Sequence, residues 1–102
     1  MDEVKRTISI LKEFELSPNC RDSKFGKFLT HKKDHISTDS FDVYFNRSTK
    51  KEGIDIQIRS YTFNFSEWAN SIHKLAELLL LKGARIEDIE NLHSDFKEFL
   101  KK

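Results

Sequence analysis

This sequence has little cysteine, proline or glycine, and it contains no long hydrophobic run. Its single cysteine, Cys20, cannot form an internal disulfide, which favours a reducing compartment and predicts a cytoplasmic protein. The longest apolar run, residues 78–81, is far too short to cross a bilayer, so no membrane contact is expected. With one proline and three glycines the chain has no linker-like segment, and its 102 residues predict one domain over residues 1–102.

The sequence also lacks a charge imbalance and the motifs of common enzymes. Its formal net charge of +1 gives no global attraction to nucleic acid. No phosphate-binding glycine loop, G-x-S-x-G element or paired-cysteine zinc motif is present. His31 and His35 are four residues apart, but they are expected at a strand end and in a loop, where such a pair does not converge on a metal. We therefore expect no enzyme activity, no metal site and no cofactor.

Regular apolar spacing and nine phenylalanines predict a packed core. Residues 2–16 have apolar side chains at helical spacing and are predicted to form the first helix. The same stretch also alternates as a strand would, but Lys12 interrupts the alternation. Towards the C-terminus, a second helix is predicted to end near residue 82 with Gly83 as its C-cap, and a third to cover residues 86–100.

Three strands are predicted between the first and second helices. They are residues 24–31, 41–47 and 54–63. Gly26 is read as a bulge in the first strand, and a phase change after Ser60 as a bulge or bend in the third. The expected fold is α+β: a three-stranded antiparallel meander preceded by one helix and followed by two, with the helices packed on one face. An uncovered strand edge can pair with a second copy, so a homodimer is compatible with this fold.

The polar side chains of the second and third strands form the candidate contact surface. Ile54, Ile56 and Ile58 are predicted to face the helices, which turns the alternating polar residues outward. The candidate partner-binding residues are Asp42, Tyr44, Asn46, Asp55, Gln57, Arg59 and Tyr61. Tyrosine and arginine are enriched at interface hot spots, and acids suit a basic partner. The simpler interpretation is a solvated sheet face stabilised by cross-strand pairs.

Because binding by occlusion needs neither a cofactor nor a catalytic residue, we expect a small protein-binding module. It would act by steric occlusion of a partner protein, as immunity proteins, antitoxins and phage-encoded inhibitors do. This expectation rests on size and chemistry, and it does not depend on a family signature.

Nucleic-acid binding is the first alternative function. The order helix, three strands, helix resembles the double-stranded-RNA-binding domain. The predicted sheet also mixes two tyrosines with basic residues, a combination that suits single strands. The basic residues are Lys24, Lys27, Lys32, Lys33, Arg47, Lys50, Lys51 and Arg59. Against this interpretation, Asp39, Asp42 and Asp55 would place negative charge on the same face.

A metal-dependent nuclease is the second alternative. Asp42 together with residues 55–59 resembles the core of the PD-(D/E)xK nucleases, in which acids and a lysine on adjacent strands hold Mg²⁺ and activate water. Arg59 stands in the place of the lysine, and arginine stays protonated and cannot act as a base. Gln57 stands in the place of an acid. These departures favour a protein that is not an enzyme.

Overall fold

The computed structural model describes residues 2–14, 21–46, 53–65 and 70–102. The described helices are α1 (Asp2–Glu13), α2 (Lys24–His31), α3 (Ile72–Lys82) and α4 (Ile86–Leu100). The described strands are β1 (His35–Ser37), β2 (Asp42–Phe45), β3 (Ile54–Ile58) and β4 (Tyr61–Asn64), which form one antiparallel sheet in the order β1-β2-β3-β4. The α+β prediction is confirmed, with four described strands where three were predicted.

The helices predicted near the two ends of the chain are confirmed. The first predicted helix corresponds to α1, although residues 15 and 16 lie outside the described ranges, as does Cys20. The bounds of α4 are those predicted from its apolar spacing. Gly83 ends α3 with a left-handed φ of 113°, and its N–H donates to the Leu80 carbonyl. Within the described ranges, no helix has the length and apolar character needed to cross a membrane.

The prediction of a strand over residues 24–31 is wrong, because these residues form the helix α2. Phe25, Phe28 and Leu29 follow helical spacing and are all buried. The Ser23 hydroxyl caps the helix by accepting a hydrogen bond of 2.9 Å from the Gly26 N–H. Gly26 is therefore a buried residue in the first turn of a helix and does not mark a bulge.

The segment predicted as one strand over residues 54–63 is a hairpin of β3 and β4. Ile58 pairs with Tyr61, which leaves Arg59 and Ser60 as a two-residue turn. Arg59 has a positive φ of 56°. A two-residue turn reverses the chain, and paired residues on the two strands share a face. The core therefore receives even-numbered residues from β3 and odd-numbered residues from β4. The phase change after Ser60 therefore comes from chain reversal, and the predicted bulge or bend is wrong.

The isoleucine face of β3 is buried beneath the helices, as predicted. Ile54, Ile56 and Ile58 are all buried, and Ile56 lines a void of only about 10 Å³ together with helical residues such as Leu79 and Leu92. The void is lined by residues of α1, the β1–β2 turn, β3, α3, α4 and the α3–α4 corner, together with Phe14 directly after α1. These elements therefore meet on one face of the sheet.

An aromatic cluster joins three of the helices. The ring centroids of Phe14 and Phe25 lie 4.5 Å apart, and Phe96 lies 5.4 Å from both Phe25 and Phe28. Aromatic pairs at these separations contribute about 0.5–1.5 kcal/mol each beyond their buried area. The packed core predicted from the phenylalanine content is confirmed, and it fixes α2 against α4.

Candidate functional site

The second face of the sheet carries two rows of polar side chains. Paired residues on neighbouring strands point to the same face, so the strand register defines both rows. One row is Ser37, Asp42, Gln57 and Thr62, and the other is His35, Tyr44, Asp55 and Asn64. The rows are called the Gln57 row and the Asp55 row below. Four of the seven predicted contact residues lie in them.

The Asp55 row is closed at its centre. Asp55 is only 5% exposed, and the Asn64 side-chain amide donates to its carboxylate at 2.8 Å. Buried polar groups require hydrogen-bond partners, and the Asp55 carboxylate and the Asn64 amide are partners for each other. The pair is therefore explained by its role in the fold. The expectation that Asp55 faces solvent is therefore wrong.

The Gln57 row is open to solvent. The Asp42 side chain is 43% exposed and accepts a hydrogen bond of 2.7 Å from the Ser37 hydroxyl. Gln57 accepts a long hydrogen bond of 3.4 Å from the Tyr44 hydroxyl and donates to the Arg59 carbonyl at 3.3 Å. Exposed hydrogen bonds of this kind contribute only about 0.5–1.5 kcal/mol each, so a partner could replace them.

Tyr61 and Asn46 lie apart from the Gln57 row. Because of the two-residue turn, Tyr61 shares a face with its partner Ile58, and the Lys82 ammonium lies 3.8 Å from the centroid of its half-exposed ring. The prediction that Tyr61 belongs to the polar face is therefore wrong. Asn46 follows β2, where its backbone N–H donates to the Gly53 carbonyl at 2.7 Å, at the end of β3 away from the β3–β4 turn.

A polar cleft of about 500 Å³ opens beside the Gln57 row, at the end of the sheet that carries the β1–β2 and β3–β4 turns. Its walls come from the β1–β2 turn, the β3–β4 turn and the corner between α3 and α4. The lining residues are Thr38, Asp39, Ser40, Phe41, Asp42, Gln57, Arg59, Gly83 and Arg85. The cleft therefore combines three predicted contact residues with several that the sequence analysis did not select.

One side chain fixes the β1–β2 turn. The Thr38 hydroxyl accepts from the Phe41 N–H at 2.9 Å and donates to the Phe41 carbonyl at 2.7 Å. Side-chain bonds of this type replace backbone bonds in tight turns. Asp39 and Ser40 are consequently held at the tip of the turn, where they line the cleft.

Arg85 ties this turn to the beginning of α4. Its guanidinium lies 3.1 Å from both Asp39 and Asp88, and its backbone N–H donates to the Ser40 hydroxyl at 3.0 Å. The hydrogen bond from Arg85 lowers the pKa of the buried Asp88 carboxyl; burial acts in the opposite direction, and hydrogen bonds from Ser40 lower it further. The same Arg85–Asp88 hydrogen bond raises the pKa of Arg85. Arg85 is thus engaged within the protein.

Arg59 is held differently. It occupies the first position of the β3–β4 turn, where glycine is favoured because φ is positive. A left-handed conformation costs a residue with a Cβ about 1–2 kcal/mol. Its side chain reaches the α3–α4 corner, where a Cβ at Gly83 would lie 3.9 Å from Arg59 Nε. Among the described residues, no carboxylate forms a salt bridge with Arg59.

The residues considered for metal chemistry are dispersed or engaged. In the part of the chain that the structure describes, no three His, Cys, Asp or Glu side chains come together as metal ligands would. His31 ends α2 with its ring centroid 5.2 Å from that of Phe99, whereas His35 lies in β1. Of the nuclease-like pair, Asp55 is bonded to Asn64 and Asp42 to Ser37.

The basic residues predicted for the sheet are mostly elsewhere. Lys24, Lys27, Lys32 and Lys33 are exposed on α2 or directly after it, so their placement on the sheet is wrong. Arg47, Lys50 and Lys51 lie outside the described residues. Only Arg59 of this set is described at the sheet, in the β3–β4 turn.

The residues that build the cleft wall are not predictable from the sequence pattern. Ser40, Arg85 and Asp88 meet across some 45 positions of sequence, a separation over which residue spacing carries no signal. The run Thr38-Asp39-Ser40 is composed of turn-forming residues, and this was the one local indication of a rigid wall.

Comparison with protein-family models, curated proteins and solved structures gave no match. The function is therefore inferred from the geometry of the chain itself.

Proposed function

We propose that this protein is a small protein-binding module that acts by covering a surface of another protein. The partner docks on the Gln57 row and inserts a side chain into the cleft beside it. Asp42, Tyr44, Gln57 and Arg59 make the contact, while Asp55 supports the sheet from within. The proposed contact surface is smaller than the seven-residue surface predicted from the sequence, and it lies at the end of the sheet that carries the β1–β2 and β3–β4 turns.

The observation that carries the proposal is the state of Arg59. An arginine occupies a turn position that glycine fills without strain, so folding stability is lost at this residue. Backbone strain of this kind concentrates at functional sites. Lys33, Asp34 and Arg59 are the described non-glycine residues with positive φ, and of these only Arg59 lines the cleft. The side chain so placed reaches the cleft, and its charge has no carboxylate partner among the described residues.

The chemistry of the cleft favours a partner that presents a carboxylate. A guanidinium binds carboxylates through two parallel hydrogen bonds, which gives both affinity and geometric specificity. The amide of Gln57 lines the same cleft as this cation, and it is bonded only weakly to the Tyr44 hydroxyl. An arginine and a tyrosine beside a cleft are the residue types that dominate binding energy at interfaces.

The test is affinity capture from the native host followed by titration of the purified partner. Wild-type protein should capture one partner in stoichiometric amount, and Arg59→Gly should weaken binding about tenfold or more, since a desolvated charge pair is lost. Arg6→Ala is the matched control, because it removes one exposed arginine charge from α1, outside the cleft. Equal binding by Arg59→Gly and wild type would contradict the proposal.

Nucleic-acid binding is the second candidate, and the lysines around α2 support it. Lys24 and Lys27 lie on the exposed side of α2, and Lys32 and Lys33 follow at its end. These lysines lie on the surface of a helix, so they would contact the phosphates of the nucleic acid. They would not stack on its bases, as aromatic residues of a sheet could.

Salt dependence tests this second candidate. Duplex DNA and mixed-sequence RNA should bind at low salt and be released as salt rises, because phosphate contacts release counterions. Lys27→Glu with Lys33→Glu should abolish binding, whereas Lys97→Glu with Lys101→Glu, which changes the charge equally on and after α4, should retain most of it. Absence of binding at low salt would exclude this candidate.

A further inference from the structure

A second surface, separate from the cleft, lies between α1 and α3. A groove of about 870 Å³ is lined by Asp2, Glu3 and Val4 of α1 and by Glu77, Leu80 and Leu81 of α3. None of these residues lines the cleft. Val4 and Leu80 pack against the hydrophobic core, so the apolar floor of the groove is continuous with it.

Leu81 makes the groove unusual as a solvated surface. It is 76% exposed, the most exposed of the large hydrophobic side chains that the structure describes. It adjoins the half-buried Leu80 at the end of α3, where a polar residue would serve an amphipathic helix equally well. Contiguous apolar surface with a polar rim is typical of a contact surface.

The charged residues described at the rim of the groove are acidic. Asp2, Glu3 and Glu77 supply three carboxylates, and the described residues that line the groove include no lysine or arginine. Asp2 and Glu3 also lie in the first turn of α1, where the helix dipole favours acids. Glu77 lies in the middle of α3, where no such dipole effect applies; its exposed carboxylate lies 2.7 Å from His73 Nε2 one turn earlier and also lines the groove.

We propose that this groove binds a segment of a partner protein that presents apolar side chains flanked by lysine or arginine. The apolar side chains cover Leu81 and Leu80, and the cations approach Glu77 and the acids at the start of α1. An amphipathic helix in a hydrophobic groove is a recurrent form of peptide recognition. The acidic rim selects the basic segment by charge complementarity.

The same charges argue against a second copy of this chain as the occupant. A two-fold dimer uses the same patch on both subunits, so it would bring the acidic rim of one copy towards the acidic rim of the other. Like charges brought together in an interface are unfavourable. A heterologous basic partner avoids this repulsion.

The proposal can be tested with synthetic peptides and the full chain. The probe is a fluorescent amphipathic helix of about 18 residues, with leucines at helical spacing and flanking lysines. Two matched peptides replace the lysines with glutamate or the leucines with serine. Fluorescence anisotropy should show binding of the leucine–lysine peptide. Each matched peptide should bind at least about tenfold more weakly.

Variants of the protein locate the binding. Leu81→Ser and Glu77→Lys should each weaken binding of the leucine–lysine peptide about tenfold. Leu100→Ser and Glu98→Lys are the controls, because both residues are exposed on α4, outside the groove, and both variants should bind as wild type does. Circular dichroism of all four variants checks that they remain folded.

Three outcomes overturn the proposal. The first is no binding of the leucine–lysine peptide at low salt. The second is equal loss of binding in the control variants, which would indicate nonspecific adsorption. The third is a concentration-dependent dimer that Leu81→Ser abolishes, which would assign the groove to a second copy. Arg59→Gly should leave peptide binding unchanged, so failure here is distinguishable from failure of the proposed cleft function.

Discussion

Asp42 and Asp55 lie on the same face of one sheet, and they differ in almost every physical respect. Asp55 lies in β3, which is paired on both sides, by β2 and β4. This aspartate is 5% exposed and accepts a hydrogen bond from a buried amide. Asp42 lies beside the cleft, is half exposed and accepts from an exposed serine. The polar face of the sheet is therefore not a uniform surface. Its Asp55 row is buried at the centre and stabilises the fold, whereas its Gln57 row is open to solvent.

The two turns near the cleft extend this comparison. The β1–β2 turn is stabilised by Thr38 and anchored to α4 through Arg85. The β3–β4 turn has Arg59 in a conformation that costs stability. One wall of the cleft is thus reinforced while the other is strained. Under the proposed function, the reinforced wall keeps the geometry of the contact surface fixed, and Arg59 is retained at a strained position for its charge.

The largest expected effect is at Asp55. Asp55→Ala should lower the free energy of unfolding by about 2–3 kcal/mol, because a buried amide loses its acceptor. Urea unfolding followed by circular dichroism measures this change. Asp55→Asn, which keeps an acceptor in place, is the control and should lose less. A loss below about 0.5 kcal/mol for Asp55→Ala would mean that the closed row of the face is not structural.

The next effect is at Asp88 and depends on pH. The folded pKa of Asp88 is lowered, mainly by the Arg85 hydrogen bond, so its contribution is present above the ordinary aspartate pKa of about 3.9 and is lost as pH falls through the folded value. Asp88→Asn should destabilise the protein by about 1–2 kcal/mol at pH 7. The difference between variant and wild type should shrink towards pH 2.

Urea unfolding at several pH values measures this difference. Glu98→Gln is the matched control, because its carboxylate is exposed and lies 3.6 Å from the Lys101 ammonium, a surface contact of little energetic weight. A difference for Asp88→Asn that stays constant from pH 7 to pH 2 would show that the cleft wall does not depend on this charge.

Arg59→Gly should have a smaller effect of the opposite sign. Glycine relieves the left-handed strain but adds entropy to the unfolded chain, so we expect a gain of about 0.5–1 kcal/mol in the free energy of unfolding. The chemical denaturation midpoint should rise accordingly. A loss of stability would mean that the Arg59 side chain holds the two turns together, and that its position is explained by structure.

The smallest effect is expected at Asp42. Asp42→Ala removes an exposed hydrogen bond, so stability should change by no more than about 0.5 kcal/mol while binding of the captured partner weakens. The contrast with Asp55→Ala, on the same face of the same sheet, is the sharpest test of the comparison. Equal stability losses in the two variants would erase the distinction between the closed and open rows.

How much of the fold the sequence predicts depends on the length of each periodic segment. The 15 residues of α4 repeat the helical spacing several times, and its predicted bounds are correct. The eight residues of α2 are too few for apolar spacing to distinguish a helix from a strand. Phe25 and Phe28 suit a helix, but the same stretch also fits a strand with a glycine bulge. Burial of Phe25 and Phe28 against Phe96 decides in favour of the helix.

The hairpin was missed for a related reason. Its phase change was visible, but a bulge and a two-residue turn change the phase in the same way. The usual turn residues, asparagine or aspartate with glycine, are absent, and Arg59-Ser60 stands in their place. A local rule fails here at the residue that the proposed function needs, which is where such failures are expected.

The candidate site was predictable only in part. Strand alternation correctly placed Asp42, Tyr44 and Gln57 on one face, because the period of two is a property of the extended backbone. The burial of Asp55 and the arginine-linked wall arise from contacts between distant parts of the chain, which no alternation encodes.

By itself, the sequence determined the inward face of Ile54, Ile56 and Ile58, the helices at the two ends and the Gly83 stop, because local spacing and backbone preference suffice for these. The tertiary structure alone decided that residues 24–31 form a helix, that the chain reverses at Arg59 and that Arg85 closes one wall of a cleft. The physical reason is that these outcomes depend on which distant surfaces become buried together, and burial is a property of the assembled chain.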